Sequence, residues 1–264
     1  MNENLKWIAG AVAVVGLSIG ALVYFARNDK AKPPVEPVAA TPPPMAVPEE
    51  PAIKHPLPES TQPEALPALE ASDPPLRNAL VELIGKSPVE QFVIPEELVR
   101  HIVVSIDNLP EPKVAERVRP VRRIPGEFAV GGSEDAPTLD RANYERYASV
   151  VQMIRSVDTK TLVATYTRYY PLFQEAYEGL GHPPQYFNDR LIEVIDLLLT
   201  TPDVKDPIAL AQPNVLYQFA DPKLESLAAG QKVLIRMGSE NATAVKEKLR
   251  ELRAQLVAQK PGNK

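Results

Sequence analysis

The chain of 264 residues contains no cysteine, which excludes disulfide bonds, thiolate metal ligands and a cysteine nucleophile. Its three histidines show no HxxxH or HxxE spacing, so a two-histidine metal site is not indicated. The sequence also lacks a glycine-rich phosphate loop and a GxSxG nucleophile elbow. We therefore expect no catalytic residue, no metal and no cofactor, and the chain is more simply explained as a protein that is not an enzyme.

An excess of positive charge is also missing, because 29 Lys and Arg face 34 Asp and Glu. Residues 1–32 carry four basic and two acidic residues, which gives +2, and residues 33–75 carry one and seven, which gives −6. Residues 76–264 carry 24 and 25, which gives −1. A nucleic-acid-binding domain normally carries a basic excess, so this charge pattern argues against nucleic acid as a partner.

The longest uncharged run covers the twenty residues from Trp7 to Ala26. A helix of that length spans roughly 30 Å, the thickness of the hydrocarbon core of a bilayer. The apolar region of a cleaved signal peptide is shorter, about 7–15 residues, and ends in a small-x-small site that this run lacks. The sequence therefore predicts a short tail at 1–6 and an uncleaved, single-pass transmembrane helix at 7–26.

The spacing of Gly16 and Gly20 allows two such helices to approach closely, so a homodimer is one interpretation, although small residues are common in membrane helices. The basic residues that flank the helix are Lys6 on one side and Arg27, Lys30 and Lys32 on the other. The positive-inside rule, applied literally, would leave the rest of the chain in the cytoplasm, but long domains translocate largely regardless of charge. The segment that follows the helix favours a periplasmic domain.

That segment, residues 27–75, holds fourteen prolines between positions 33 and 75. Proline fixes φ and removes a backbone donor, so neither helix nor sheet can propagate there. We expect an acidic tether in extended polyproline II conformation, with a reach on the order of 130 Å for residues 33–75, or ordinary disorder. His55 lies in this tether and is expected to have no specific role.

Residues 76–260 show helical periodicity almost throughout, which predicts a compact all-α domain of about six to eight helices. Asp73 is expected to cap the first helix, with proline in its first turn at Pro74 and Pro75, and an irregular, proline-containing loop is expected at about 110–138. Thr138 and Asp158 are expected to cap the next two helices, and Pro171 to kink or divide the second of them. One further helix is expected from Asp221-Pro222 to about Gly238.

Two groups of residues are candidates for partner binding. The first is a dense set of tyrosines, which form either core packing or a groove for a peptide or glycan: Tyr144, Tyr147, Tyr166, Tyr169 and Tyr170. The second is Lys232, Arg236 and Asn241 beside a glycine turn, where cations either satisfy helix-terminal carbonyls or bind an anion. The carboxylates Asp189, Glu193 and Asp196 lie at helical spacing, which is typical of a solvated face.

Several stretches between Tyr144 and Arg253 resemble an uncharacterised family of membrane-anchored proteobacterial proteins, domain-of-unknown-function family 3014. The stretches are NYERY (143–147), YYPLFQEAYEGLGHP (169–183), FNDRL (187–191), YQFADPKLESL (217–227) and GQKVLIRMGSEN (230–241). The resemblance implies the inner membrane of a Gram-negative bacterium, with the domain in the envelope. It implies no activity and no catalytic residue.

The sequence is compatible with three functions. The first is a membrane-tethered envelope protein whose helical domain binds another protein or peptidoglycan without catalysis. The second is an enzyme that modifies an envelope polymer through a carboxylate-based site, which would require two carboxylates beside a cleft. The third is a cytoplasm-facing adaptor whose basic residues between Lys113 and Arg123 touch anionic lipid.

Overall fold

A computed structural model describes residues 52–58, 66–113, 116–182 and 184–259. These residues are mostly helical, which confirms the prediction of an all-α fold. The nine α-helices among them are α1 (Asp73–Ile84), α2 (Lys86–Phe92), α3 (Leu98–Asn108), α4 (Ala142–Ser156), α5 (Thr159–Glu178), α6 (Phe187–Leu199), α7 (Pro222–Glu225), α8 (Ala229–Arg236) and α9 (Ser239–Ala258). Short 3₁₀ helices cover Leu69–Ala71 and Glu116–Val118.

The count of helices exceeds the predicted six to eight, because the segment expected to run from Asp221 to Gly238 is divided. Asp221 caps α7 by accepting a hydrogen bond from the backbone N–H of Lys223, but α7 ends after a single turn at Glu225. The chain resumes helical geometry at Ala229, after the extended backbone of Ala228. A single turn without buried residues cannot be recognised from apolar periodicity.

Four short strands also form, within or close to the irregular regions. They pair as two antiparallel hairpins, β1 (Val130–Ser133) with β2 (Ala136–Leu139) and β3 (Leu210–Ala211) with β4 (Gln218–Phe219). Thr138, predicted to cap a helix, lies instead in β2, and α4 begins at Ala142. Thr138 pairs with Gly131 of β1 and lies four residues before Ala142, too far from the helix start to cap it.

Helix α5 is continuous where a kink or a division was predicted. Its N-terminus is as predicted, since the Asp158 carboxylate accepts a hydrogen bond from the N–H of Thr161 at 2.8 Å. Pro171, expected to kink or divide the helix, lies inside one continuous helix of 20 residues. The neighbouring residues Tyr170, Leu172 and Phe173 are all buried, so tertiary packing of this face offsets the lost hydrogen bond.

The core forms where α9 packs along α4, α5 and α6, and where α3 packs against α5 and α6. Among the largest fully buried side chains are Phe173, Tyr177 and Phe187, and the Phe187 ring contacts the other two rings. A second, smaller cluster joins the hairpins to α8 through Leu139, Ile208, Leu210, Phe219 and Ile235. Helix α8 therefore lies between the two clusters.

Residues 52–58 differ from the expectation for the tether. They pack against the domain, and Leu57 is 9% exposed as a member of the main core cluster. Leu69, also within the predicted tether, is buried in the same cluster. The proline content correctly indicates that residues 52–58 are not helical, but an extended segment can still dock through side chains and main-chain groups.

The predicted transmembrane helix at 7–26 and the tether up to residue 51 lie outside the described residues. Among the residues that the structure describes, none of the helices combines the length and the apolar character needed to cross a bilayer.

Candidate functional site

The structure separates the predicted tyrosine set. Four of its members are buried in the main core: Tyr147, Tyr166, Tyr169 and Tyr170. The Tyr169 hydroxyl donates to the carbonyl of Pro75 at 3.2 Å, and the Tyr170 hydroxyl donates to Gln174 at 2.8 Å. The interpretation as core packing therefore fits these four residues. Tyr144 is the member of this set that reaches an open pocket.

Tyr147 is fully enclosed, and its hydroxyl has no hydrogen-bond partner among the described residues. Burial raises the pKa of Tyr147 to about 12, against a smaller lowering effect of the Arg236 and Arg146 charges. Because the pKa of Tyr147 is higher in the folded state, its contribution to stability is fully present below the unfolded-state pKa of about 10. This contribution is lost as the pH rises through the folded-state pKa. Tyr147 thus makes the fold sensitive to alkali.

We expect Tyr147→Phe to reduce the alkaline loss of stability. Between about pH 10 and pH 12 the unfolding free energy of the wild type should fall by roughly 2–3 kcal/mol through this residue alone, and the variant should lack that share. Urea unfolding at a series of pH values would measure the difference. At pH 7 the variant should be as stable as the wild type, because no hydrogen bond to the described residues is removed; an unchanged alkaline slope would contradict the assignment.

Lys232 and Arg236, predicted as a possible anion site, are both buried in the structure. Lys232 Nζ lies 2.9 Å from Glu225 Oε1 and donates to the Glu225 carbonyl at 3.0 Å. The guanidinium of Arg236 stacks 4.9 Å above the centre of the Phe219 ring. These two cations therefore hold α7 and β4 against α8, and neither is exposed at a binding surface.

A pocket of about 420 Å³ opens beside Tyr144, between the N-terminal turns of α4 and α9. The predicted residue Asn241 also lines it, so two of the eight candidates meet here. The full lining consists of Arg141, Tyr144, Glu145, Ala148, Asp206, Met237, Gly238, Ser239, Glu240 and Asn241. Three acidic side chains and one basic side chain give the lining a formal charge of −2, from +1 − 3.

Hydrogen bonds fix the pocket wall. The Tyr144 hydroxyl donates to Asp206 Oδ1 at 2.6 Å, and burial together with this carboxylate raises the pKa of Tyr144 well above its usual value. Asn241 Nδ2 donates to the carbonyls of Tyr144 and Met237 at 2.9 and 2.8 Å. The Tyr144 ring lies directly against Gly238, whose φ is +84°. Tyr144 therefore presents a neutral, rigid surface to whatever enters the pocket.

Other residues of the NYERY stretch (143–147) attach the preceding loop to α4, next to the pocket wall. Asn143 accepts a hydrogen bond from the N–H of Ala129 at 3.0 Å and donates to the Ala129 carbonyl at 2.6 Å. Arg146 donates to the carbonyls of Pro125 and Glu127 at 3.2 and 2.6 Å. These contacts join the irregular loop to α4, so the polar residues of the stretch hold the loop in place while Tyr144 lines the pocket.

The structure contains a second surface that the sequence did not predict. Residues 53–57 bind to this surface. Asp189, on the first turn of α6, accepts the backbone N–H groups of Lys54 and His55 at 2.9 and 2.8 Å. Asn188 Nδ2 donates to the His55 carbonyl at 2.8 Å. The hydroxyl of Tyr186 accepts the N–H of Leu57 at 3.0 Å.

Side chains add to these main-chain contacts. Leu57 inserts into the core, and the exposed Lys54 lies 3.5 Å from Glu193. Asn188 is fully buried, and its Oδ1 atom has no hydrogen-bond partner among the described residues. We call the surface formed by Tyr186, Asn188, Asp189 and Glu193 the segment-binding surface. The helical spacing of Asp189 and Glu193 was visible in the sequence, but their main-chain partners were not.

The attachment of residues 53–57 is close to balanced in free energy. Four hydrogen bonds at about 1 kcal/mol each and one buried leucine at roughly 2–3 kcal/mol contribute about 6–7 kcal/mol. Ordering five residues costs roughly 1–2 kcal/mol each, somewhat less at Pro56 because its φ is already fixed. The segment is therefore held by a small margin.

The histidines do not form a metal site in the described part of the chain. His182 Nε2 lies 3.3 Å from Asp107 and its ring stacks on Tyr177, while His101 lies 3.7 Å from Glu97. Within the described ranges, no group of three or more acidic or histidine side chains could share a metal ion.

The family described as "Protein of unknown function (DUF3014)" matches residues 98–253, from the start of α3 to the last third of α9. The chain belongs to this family. Neither the curated proteins nor the solved structures contain a match. All residues of the segment-binding surface and of the Tyr144 pocket lie within the span that the family model matches, whereas residues 52–58 lie outside it.

Proposed function

We propose that this protein is a non-enzymatic envelope protein whose helical domain binds a partner at the Tyr144 pocket. The chain would be anchored in the inner membrane by residues 7–26, with the domain in the periplasm at the end of an acidic tether. Support for the anchor comes from the uncharged run of twenty residues. The partner would be an envelope protein or peptidoglycan.

The observation that carries the binding role is the composition of the pocket. It joins a rigid tyrosine ring to three acidic side chains, Glu145, Asp206 and Glu240. Tyrosine gives amphipathic contact area at low entropic cost, and the formal charge of −2 attracts cations. We therefore expect the group that enters the pocket to be cationic, such as a lysine side chain of a protein or an amino group of the cell wall.

Photocrosslinking in cells tests the location of the site. We expect p-benzoyl-phenylalanine in place of Ala148, which lines the pocket, to form a discrete adduct with a protein or with peptidoglycan. The matched control is Val257, an exposed residue of α9 that lies about 27 Å along the helix from Ser239. Equal adducts at the two positions, or none at Ala148, would contradict the proposal.

The charge of the partner is tested in the same cells. The double change Glu145→Gln and Glu240→Gln should lower the Ala148 adduct severalfold, because it removes two of the negative charges that face the pocket. Glu82→Gln, on the exposed face of α1, is the control and should leave the yield unchanged. An adduct unaffected by the double change would contradict a cationic partner.

The position of the anchor is tested separately by topology. Alkaline phosphatase fused at the C-terminus should be active, and a cytoplasm-active fluorescent protein at the same position should be dark. The reverse result would favour the cytoplasm-facing adaptor, in which exposed basic residues such as Arg117, Arg122 and Arg123 touch anionic lipid.

A carboxylate-based enzyme that modifies an envelope polymer is the second candidate, since three carboxylates line one pocket. Two such groups, one as acid and one as base, are what glycoside hydrolysis requires. Release of reducing sugar ends from peptidoglycan by the purified protein, lost in Glu145→Gln or Glu240→Gln, would support this candidate over the binding role.

A further inference from the structure

The segment-binding surface holds residues 53–57 mainly through their main chain. Three N–H groups and one carbonyl of the segment bind side chains of Tyr186, Asn188 and Asp189. Main-chain groups are common to all peptides, so this pattern selects an extended conformation rather than a particular sequence.

The surface binds the N–H groups on both sides of Pro56 and requires none from position 56 itself. The N–H groups of residues 54, 55 and 57 donate hydrogen bonds to the surface. Pro56 has no N–H group that could be left without a partner. Proline also restricts His55 to extended geometry, which preorganises the donors on either side. The surface therefore accepts a proline at the third of these four positions without loss.

Side chains of the segment set its register and its charge preference. Leu57 enters the core as an apolar anchor, and Lys54 faces Glu193. The pattern that the surface binds here is a basic residue, a histidine whose Nδ1 lies 3.6 Å from Asp189 Oδ1, a proline and an apolar residue. The buried Asn188 Oδ1, which has no partner among the described residues, is an acceptor that residues 53–57 do not use.

We propose that the segment-binding surface is a receptor for extended, basic, proline-containing peptides of a partner protein, and that residues 53–57 are its built-in competitor. The contacts of the segment come close to balance with its ordering entropy, so a peptide with the same pattern exchanges with it. The proposal uses residues other than those of the Tyr144 pocket, and either can fail without the other.

Peptide binding to the full chain in detergent micelles tests this receptor. The probe is a fluorescein-labelled peptide that copies residues 52–58, measured by anisotropy. We expect saturable binding to Leu57→Ser, in which the built-in segment is weakened but the receptor is intact. Binding to the wild type should be about tenfold weaker, because the built-in segment competes at high effective concentration.

Two controls separate the receptor from nonspecific binding. Adding Asp189→Ala to Leu57→Ser should abolish saturation, and a peptide with serine in place of the leucine should not bind. Lys54→Pro, which removes one donor to Asp189 without touching the core, replaces Leu57→Ser if that variant is unstable. No saturation of either variant at several millimolar peptide, or equal binding to all variants, would overturn the proposal.

Amide hydrogen exchange and the molar mass of the protein in solution show whether the segment-binding surface holds residues 53–57 of the same chain or of a second copy. In the wild type the amides of Lys54, His55 and Leu57 should be protected, and Tyr186→Phe should selectively expose the amide of Leu57. Light scattering shows whether the segment exchanges between two copies instead. A dimer that is lost in Leu57→Ser would assign the site to a second copy and overturn the assignment to a partner protein.

Discussion

Replacing Glu225 by alanine is expected to lower the unfolding free energy by about 3 kcal/mol. The carboxylate binds Lys232 Nζ at 2.9 Å and accepts the N–H of Phe219 at 3.0 Å. Removing one partner of a buried ion pair leaves an uncompensated buried charge, which costs roughly 3–5 kcal/mol, and the 27% exposure of Glu225 favours the lower end. Urea unfolding followed by circular dichroism at pH 7 measures the loss.

Two further variants show whether the charge is the cause. Glu225→Ala combined with Lys232→Met should recover most of the stability, because it removes the buried cation together with its partner. Glu90→Ala breaks the exposed pair of Glu90 with Lys86 and should cost only about 0.5 kcal/mol. Equal costs for Glu225→Ala and Glu90→Ala would show that the buried pair has no special importance.

Replacing Gly238 by alanine is expected to cost about 3 kcal/mol and to close the Tyr144 pocket. A Cβ atom at Gly238 would lie 2.6 Å from Tyr144 Cγ, so the ring would have to move. The φ of +84° adds strain of about 1 kcal/mol for a residue with a side chain, and the overlap adds roughly 1–3 kcal/mol. Thermal unfolding gives the stability, and the Ala148 adduct gives the state of the pocket.

Gly181 supplies a matched control within the same chain. Its φ is +95°, but a Cβ atom there would meet no heavy atom within 4 Å. Gly181→Ala should therefore cost the backbone strain alone, about 1 kcal/mol. In a Tyr144→Ala background the overlap is absent, so the additional cost of Gly238→Ala, measured against Tyr144→Ala alone, should fall to a similar residual strain. If the two glycine variants are equally unstable, the Tyr144 ring does not restrict position 238.

The helices were predictable because their apolar residues repeat at helical spacing. Leu76, Leu80 and Leu83 mark α1, and Val245, Leu249, Leu252 and Leu256 mark α9, and all of them are buried. The Asp158 cap was also predictable, since its side chain acts on the next residues of the chain. Local signals of this kind are contained in the sequence itself.

The site was less predictable, because it depends on contacts between distant residues. Tyr144 and Tyr147 have the same chemistry, yet one lines a pocket and the other is enclosed in the core. Lys232 and Arg236 resembled an anion site, but Glu225 and the Phe219 ring bind them in the interior. Asp73, predicted to start α1 as its cap, accepts the N–H groups of Glu97 and Leu98 instead. No spacing along the chain specifies such partners.

The position at which the tether meets the domain also determines how far the domain can travel. Leu69 is buried in the main core and α1 starts at Asp73, so release of residues 53–57 would free the predicted tether only as far as residue 65. If residues 33–65 were then fully extended, the domain could move on the order of 100 Å from the predicted membrane helix. With residues 53–57 bound to α6, the span available to residues 33–51 is about 60 Å. The membrane area within reach grows with the square of this radius, so release of residues 53–57 would enlarge the searched area roughly threefold.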